Sequence, residues 1–259
     1  MSGYYRAWQS GKELSDDVES NLLLYFRKNK EKFVVIDRYI FDLSSLSSKI
    51  NLSICSNCAN YLHFDCCKGN NRSLDEESRN SLNVVSDTII NSIGDDVLDS
   101  YYRYGLYTMS GSITSRGRND GRCVFSLRTE KCCIDRYCES YNIDCLKVKP
   151  KICSLFPIEG ITLTSGFIFV FCGCSDTSLF SCYNWRILRL PCINYNNAYR
   201  LDSGDYGNSK YLHKLSLSTF KEYNNLSRYR YSYIEKEVEL RYILGDSVYE
   251  SLVCKFDDC

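Results

Sequence analysis

Cysteine is the residue that most constrains this chain, and it is clustered rather than scattered. Sixteen cysteines occur in 259 residues. Ten of them fall into two runs, Cys55-x2-Cys58-x7-Cys66-Cys67 and Cys123-x8-Cys132-Cys133-x4-Cys138-x6-Cys145-x7-Cys153. A chain of this length buries a core without covalent staples, so the thiols exceed what stability demands. The first residues, 1–17, are polar and acidic and lack the apolar stretch of a secretory signal. The expectation is therefore a reducing, cytoplasmic compartment, where clustered cysteines serve as metal ligands or reactive thiols more often than as disulfides.

The spacing supports metal chemistry. In a C-x2-C pair the two intervening residues turn the chain so that both sulfurs reach one ion, at about 2.3 Å for zinc. Four thiolates satisfy a tetrahedral zinc and equally hold a four-iron, four-sulfur cluster. Neighbouring cysteines do not chelate one ion comfortably, so Cys66 and Cys67 divide between two centres or between a ligand and a core thiol. Buried cysteines acting as small apolar residues are the competing account. It fits Cys172, Cys174, Cys182, Cys254 and Cys259 better than it fits the two runs. His63, between Cys58 and Cys66, is either a further donor or a loop residue, and His213 reads as structural.

Other chemistries find less support. Acidic and basic residues balance at 32 each, which argues against a nucleic-acid partner or an anionic membrane. Arg228-Tyr229-Arg230-Tyr231 is the local exception, and such a run more often forms a solvated amphipathic segment. The longest apolar stretch, Ile161 to Cys172, falls short of the roughly 20 residues of a spanning helix and reads as buried strand. Glycine-rich dinucleotide loops, nucleophile elbows and the C-x3-C-x2-C triplet are absent from the sequence.

The periodicities predict an α+β fold: a helical N-terminal extension over 1–32, then a cysteine-cluster domain over 33–259 built of short strands and helices. A helix is expected over Glu13 to Lys32, and a strand or hairpin arm over Phe33 to Leu43. Ser73 and Glu76 form a capping-box pattern that opens a helix running from Leu74 to about Ile93. Residues 110–121 read as a loop and Arg122 to Leu127 as a short strand. A short helix follows over Ile134 to Tyr141, and two strands over Leu155 to Phe171 turn at Gly160 or Gly166. Further helices are expected over Ser232 to Leu244 and Asp246 to Val253.

Several motifs then acquire a family resemblance. Cys123-Val124-Phe125, Cys132 and the run Lys149-Pro150-Lys151-Ile152-Cys153-Ser154-Leu155-Phe156-Pro157-Ile158 resemble the signature of the YkgJ-like bacterial cysteine-cluster proteins, described as zinc- or iron-chelating. The nearest likeness is to a longer branch of that group. There an early cluster ends in adjacent cysteines before a turn and an acidic helix start, as Cys66-Cys67-Lys68-Gly69 and Leu74-Asp75-Glu76-Glu77 do here. Tyr183-Asn184-Trp185-Arg186 before Cys192 resembles a later element of the same branch. Extra cysteines at 133, 138 and 145 depart from the pattern and leave the choice between Cys132 and Cys133 open.

The resemblance implies one or two metal centres with Cys55, Cys58, Cys66, Cys67, Cys123, Cys132, Cys153 and Cys192 as ligands. A [4Fe-4S] iron–sulfur cluster is the first expectation for the cofactor and zinc the alternative. The group is similar, more distantly, to flagellin lysine methyltransferases, which implies a redox or group-transfer enzyme acting on a peptide or protein substrate. A structural zinc scaffold is the alternative, and a thiol sensor or metal store a third. Pro150 and Pro157 bracket Cys153 and stiffen its backbone, as a metal ligand requires.

Overall fold

The structure is a computed structural model that describes residues 5–9, 11–52, 74–92, 105–107, 123–125, 132–174, 176–182, 191–193 and 226–257. The fold is α+β, with helices and a small mixed sheet. Two compact units divide the chain: Met1–Leu52 with Leu155–Tyr199 and Asn225–Cys259, and Ser53–Ser154 with Arg200–Asn224. Cys55, Cys58, Cys66, Cys67, His63, the 110–121 loop and the 183–186 motif lie outside the described residues.

Along the chain, β1 (Arg6–Ala7) precedes α1 (Asp16–Lys28), β2 (Phe33–Ile36), β3 (Tyr39–Asp42), α2 (Leu43–Leu46) and β4 (Lys49–Ile50). The second unit contributes α3 (Glu76–Asn91), α4 (Cys133–Tyr141) and the single turn α5 (Lys151–Ser154). The chain then forms β5 (Ile158–Thr162), β6 (Ile168–Cys172), β7 (Arg230–Tyr231), α6 (Ser232–Glu235), α7 (Glu237–Leu244) and α8 (Asp246–Asp257). No described helix is long and apolar enough to cross a membrane.

The first unit is organised by a five-stranded sheet of order β1-β5-β6-β3-β2. The β3–β6 pair is parallel and the other pairs are antiparallel. Every residue of β6 is buried, because both faces of the sheet are covered. Ile168, Val170 and Cys172 face a core shared with Leu240, Leu244, Val248 and Leu252 of α7 and α8. Phe169 and Phe171 face the opposite core, where Leu22 of α1 and Phe180 complete the packing. The stretch read as an N-terminal extension thus contributes to one face of the sheet. Gly166 turns the β5–β6 hairpin with φ +84, and Gly160 sits inside β5 against the Trp8 ring. Of the two glycines named for that turn, the one able to take a left-handed backbone is the one that turns. The Phe156–Pro157 peptide is cis.

In the second unit, Asp75 caps α3, its carboxylate accepting the Ser78 amide at 2.7 Å. The helix therefore starts two residues later than the Ser73 capping-box reading, because Asp75 is an equally good acceptor. Lys151 links α5 to this helix start through Asp75 and Glu77, at 3.3 and 2.5 Å. The strand expected over Arg122 to Leu127 needs correction where it is described. Residues 123–125 form a turn with Val124 and Phe125 buried, and the Phe125 carbonyl accepts the Cys133 amide at 2.8 Å. Apolar residues there serve burial rather than a ladder.

Candidate metal centre

The site is built on α4, the turn that follows it, and α5. Cys132 is the N-cap of α4, and Asp135 lies in its first turn, where a carboxylate suits the positive end of the helix dipole. Asn142 ends the helix in a left-handed conformation, and the Ile143 amide returns to the Cys138 carbonyl at 2.9 Å. A short 3-10 turn, Cys145–Lys147, then brings the Lys149 amide onto the Cys145 carbonyl at 2.8 Å. Pro150 starts the next turn, its carbonyl accepting the amides of Cys153 and Ser154 at 2.8 and 3.0 Å. The bracketed backbone expected around Cys153 is one turn of helix.

These turns aim Lys149 back at α4. Its ammonium meets both carboxylate oxygens of Asp135, at 2.8 and 2.9 Å, and both side chains are about three-quarters buried. Burial by itself works against the charged amine. The charges of Cys132, Asp135 and Cys153 outweigh it and hold the ammonium above the ordinary lysine range. Cys132 and Cys153 thus lie within electrostatic reach of the same cation, and both are partly exposed. A helix start and an adjacent cation are the surroundings in which a thiol ionises and binds metal.

Cys138 and Cys145 differ in kind. Burial pushes both thiols up. Cys145 lies within hydrogen-bond reach of Cys138 and 3.3 Å from Asp135 Oδ1. Cys145 thereby braces the carboxylate that positions Lys149. Between the adjacent cysteines, Cys132 is the partly exposed cap, whereas Cys133 is buried at 2 % exposure at the start of the helix.

Two further expected ligands are described. Cys123 is buried in the 123–125 turn of the same unit. Cys192 is buried in the sheet unit, in a 3-10 turn, and its carbonyl accepts the Asn51 amide at 2.7 Å. Among the described residues, no group of three or more His, Cys, Asp or Glu is arranged to hold a metal ion.

Lys149 and Asp135 escaped the sequence reading as functional residues. A lysine in the K-P element and an acid in a first helical turn each have ordinary explanations, and only the tertiary turn joins them. Comparison with protein-family models, with curated proteins and with solved structures gave no match to this chain.

Elsewhere, Glu159 on β5 is 1 % exposed and accepts from the Ser181 hydroxyl and, at 2.6 Å, from the Cys182 amide. Burial raises its pKa to about 7, while those hydrogen bonds pull it down. Cys172 is a core thiol, whereas Cys174 is partly exposed. Cys172 is fully buried, Thr177 holds the Cys174 amide at 2.8 Å, and burial raises both thiols.

Proposed function

We propose that this chain is a metal-binding protein whose second unit holds an iron–sulfur or zinc centre in cysteine thiolates, with Cys132 and Cys153 among the ligands. The reading is carried by the cysteine spacing together with two partly exposed cysteines, Cys132 and Cys153, on the two elements that the Lys149–Asp135 ion pair joins. A fixed cation favours the thiolate over the thiol, and the thiolate is the form that ligates. Cys55 and Cys58, with their two-residue spacing, are the natural partners by sequence, together with Cys66, Cys67 and Cys123. When bound, an iron–sulfur cluster would supply electron transfer, and zinc would supply a closed structural clamp.

The residues of the chain have distinct parts in this reading. Cys132 and Cys153 donate sulfur, Lys149 supplies a fixed positive charge beside them, and Asp135 orients the ammonium. A redox role on a peptide or protein substrate follows if the centre is iron–sulfur, and a scaffold role follows if it is zinc.

The test is anaerobic purification of the full chain, with an absorption spectrum and elemental analysis of iron, zinc and acid-labile sulfide on one sample. Matched iron and sulfide in a brown protein support the redox form. Stoichiometric zinc in a colourless protein supports the scaffold. A folded chain that takes up neither metal on reconstitution overturns the reading.

A further inference from the structure

We propose that Cys138 and Cys145 form a redox pair, a dithiol that a small-molecule disulfide oxidises to a disulfide within the chain. Neither cysteine belongs to the ligand set proposed above, and the chemistry needs no metal.

The turn after α4 brings the two thiols together. Cys138 lies near the C-terminal end of α4, and Asn142, with φ 53, reverses the chain so that the Ile143 amide returns to the Cys138 carbonyl at 2.9 Å. Asp144 then caps the 3-10 turn, its carboxylate accepting the Leu146 amide at 3.1 Å, and Cys145 takes the first position of that turn. The Cys145 sulfur thereby reaches α4, 3.3 Å from Asp135 Oδ1. Asp135 and Cys138 are three residues apart on that helix and so share a face. The two thiols accordingly lie within hydrogen-bond reach of each other.

Unequal exposure divides the chemistry. Cys145 is partly exposed and meets a reagent first, whereas Cys138 is 3 % exposed and can only resolve. In the first step Cys145 loses its proton to solvent and its sulfur attacks the incoming disulfide. A mixed disulfide forms and one small thiol leaves. Cys138, deprotonated in turn, attacks the Cys145 sulfur and expels the second small thiol. The chain gives up two electrons and two protons, and the reagent disulfide is reduced to two thiols. Burial pushes both thiols up, which disfavours the attacking thiolate and slows the exchange, but the product disulfide carries no charge to bury. Oxidation also withdraws the Cys145 S–H from Asp135, the carboxylate that holds Lys149 at 2.8 and 2.9 Å. Where the thiol pool is reducing, such a pair is transient and redox-sensing.

The experiment treats the reduced full chain with oxidised glutathione, then denatures it in iodoacetamide without reductant and maps tryptic peptides by mass. Residues 137–147 form one tryptic peptide containing Cys138 and Cys145 and no other cysteine. In the wild type this peptide should take up no iodoacetamide and be lighter by its two thiol hydrogens. Reduction before alkylation should restore both alkylation sites. Cys138→Ser should trap one glutathione on Cys145, and Cys145→Ser should leave Cys138 without glutathione. A wild-type peptide that is alkylated at both cysteines, carries glutathione on both, or is joined to a peptide bearing another cysteine overturns the pair. Where a variant fails to fold, the wild-type map decides alone.

Discussion

The Tyr25 hydroxyl donates a 2.6 Å hydrogen bond to Oδ2 of Asp42, joining helix α1 to the end of strand β3. Asp42 is fully buried and also caps α2 through the Ser45 amide at 3.2 Å. Tyr25→Phe leaves one carboxylate oxygen without that partner, and the expected loss is about 1–3 kcal/mol. Urea unfolding checks it. An unchanged midpoint would mean that the bond adds nothing to stability.

Glu159 predicts a pH dependence. Its folded pKa of about 7 lies above the unfolded value of 4.5, so the folded state holds the proton more tightly. The contribution to stability is fully present below the unfolded value and is lost as pH rises through the folded one. Across that window the wild type should lose about 3 kcal/mol relative to Glu159→Gln. Parallel denaturation curves at several pH values measure the difference, and a constant gap between the two proteins would refute the assignment.

Gly160 has no room for a side chain. A Cβ at this position would meet the Trp8 side chain at 3.0 Å or less at three carbon atoms, within the ring and its Cβ. Overpacking of this kind costs about 1–3 kcal/mol, so Gly160→Ala should lower the melting temperature. It should also shift Trp8 fluorescence, because the indole must move away from β5.

The cysteines of α4 and α5 should separate by role. Cys132→Ser and Cys153→Ser are expected to reduce the metal recovered per chain. Cys138→Ser and Cys145→Ser should leave metal content near wild type, since burial pushes both thiols up and disfavours the thiolate that ligates. Elemental analysis of the four variants, prepared identically, tests this. Equal metal loss in all four would remove the distinction.

The helix cap at Asp75 is a control away from the cysteines. Asp75→Ala removes the 2.7 Å bond to the Ser78 amide and one of the Lys151 contacts. A loss of about 1 kcal/mol is expected, as for caps generally. Thermal unfolding reads it, and an unaltered transition would count against the cap.

Much of the fold was legible where a signal was local. The α1 periodicity, the all-apolar run of β6, the helix over Cys133–Tyr141 and the C-terminal helices all appear within a few residues of their expected bounds. Where two local signals competed, the reading slipped. Ser73 and Asp75 are both good caps, and Val124-Phe125 has strand-like residues in a turn. Long-range facts were invisible. Nothing in the Tyr39–Asp42 stretch announces a parallel partner in β6, and neither Lys149 nor Asp135 names the other. For the candidate site, cysteine spacing pointed to the region, whereas the difference between the partly exposed Cys132 and Cys153 and the buried Cys133 and Cys138 required the tertiary structure.

The parallel pairing of β3 with β6 has a consequence for how the chain is made. Ser45, beside β3, holds the Cys172 amide across 127 positions, and Ser232 holds the Leu46 carbonyl across 186. During synthesis the β2–β3 hairpin is made before β6, and the Ser53–Ser154 part of the second unit is made between them. Closing so long a loop has an entropic cost, and topologies rich in distant contacts fold slowly. The five-stranded sheet therefore closes only after β6 has been made, more than a hundred residues after the hairpin it completes.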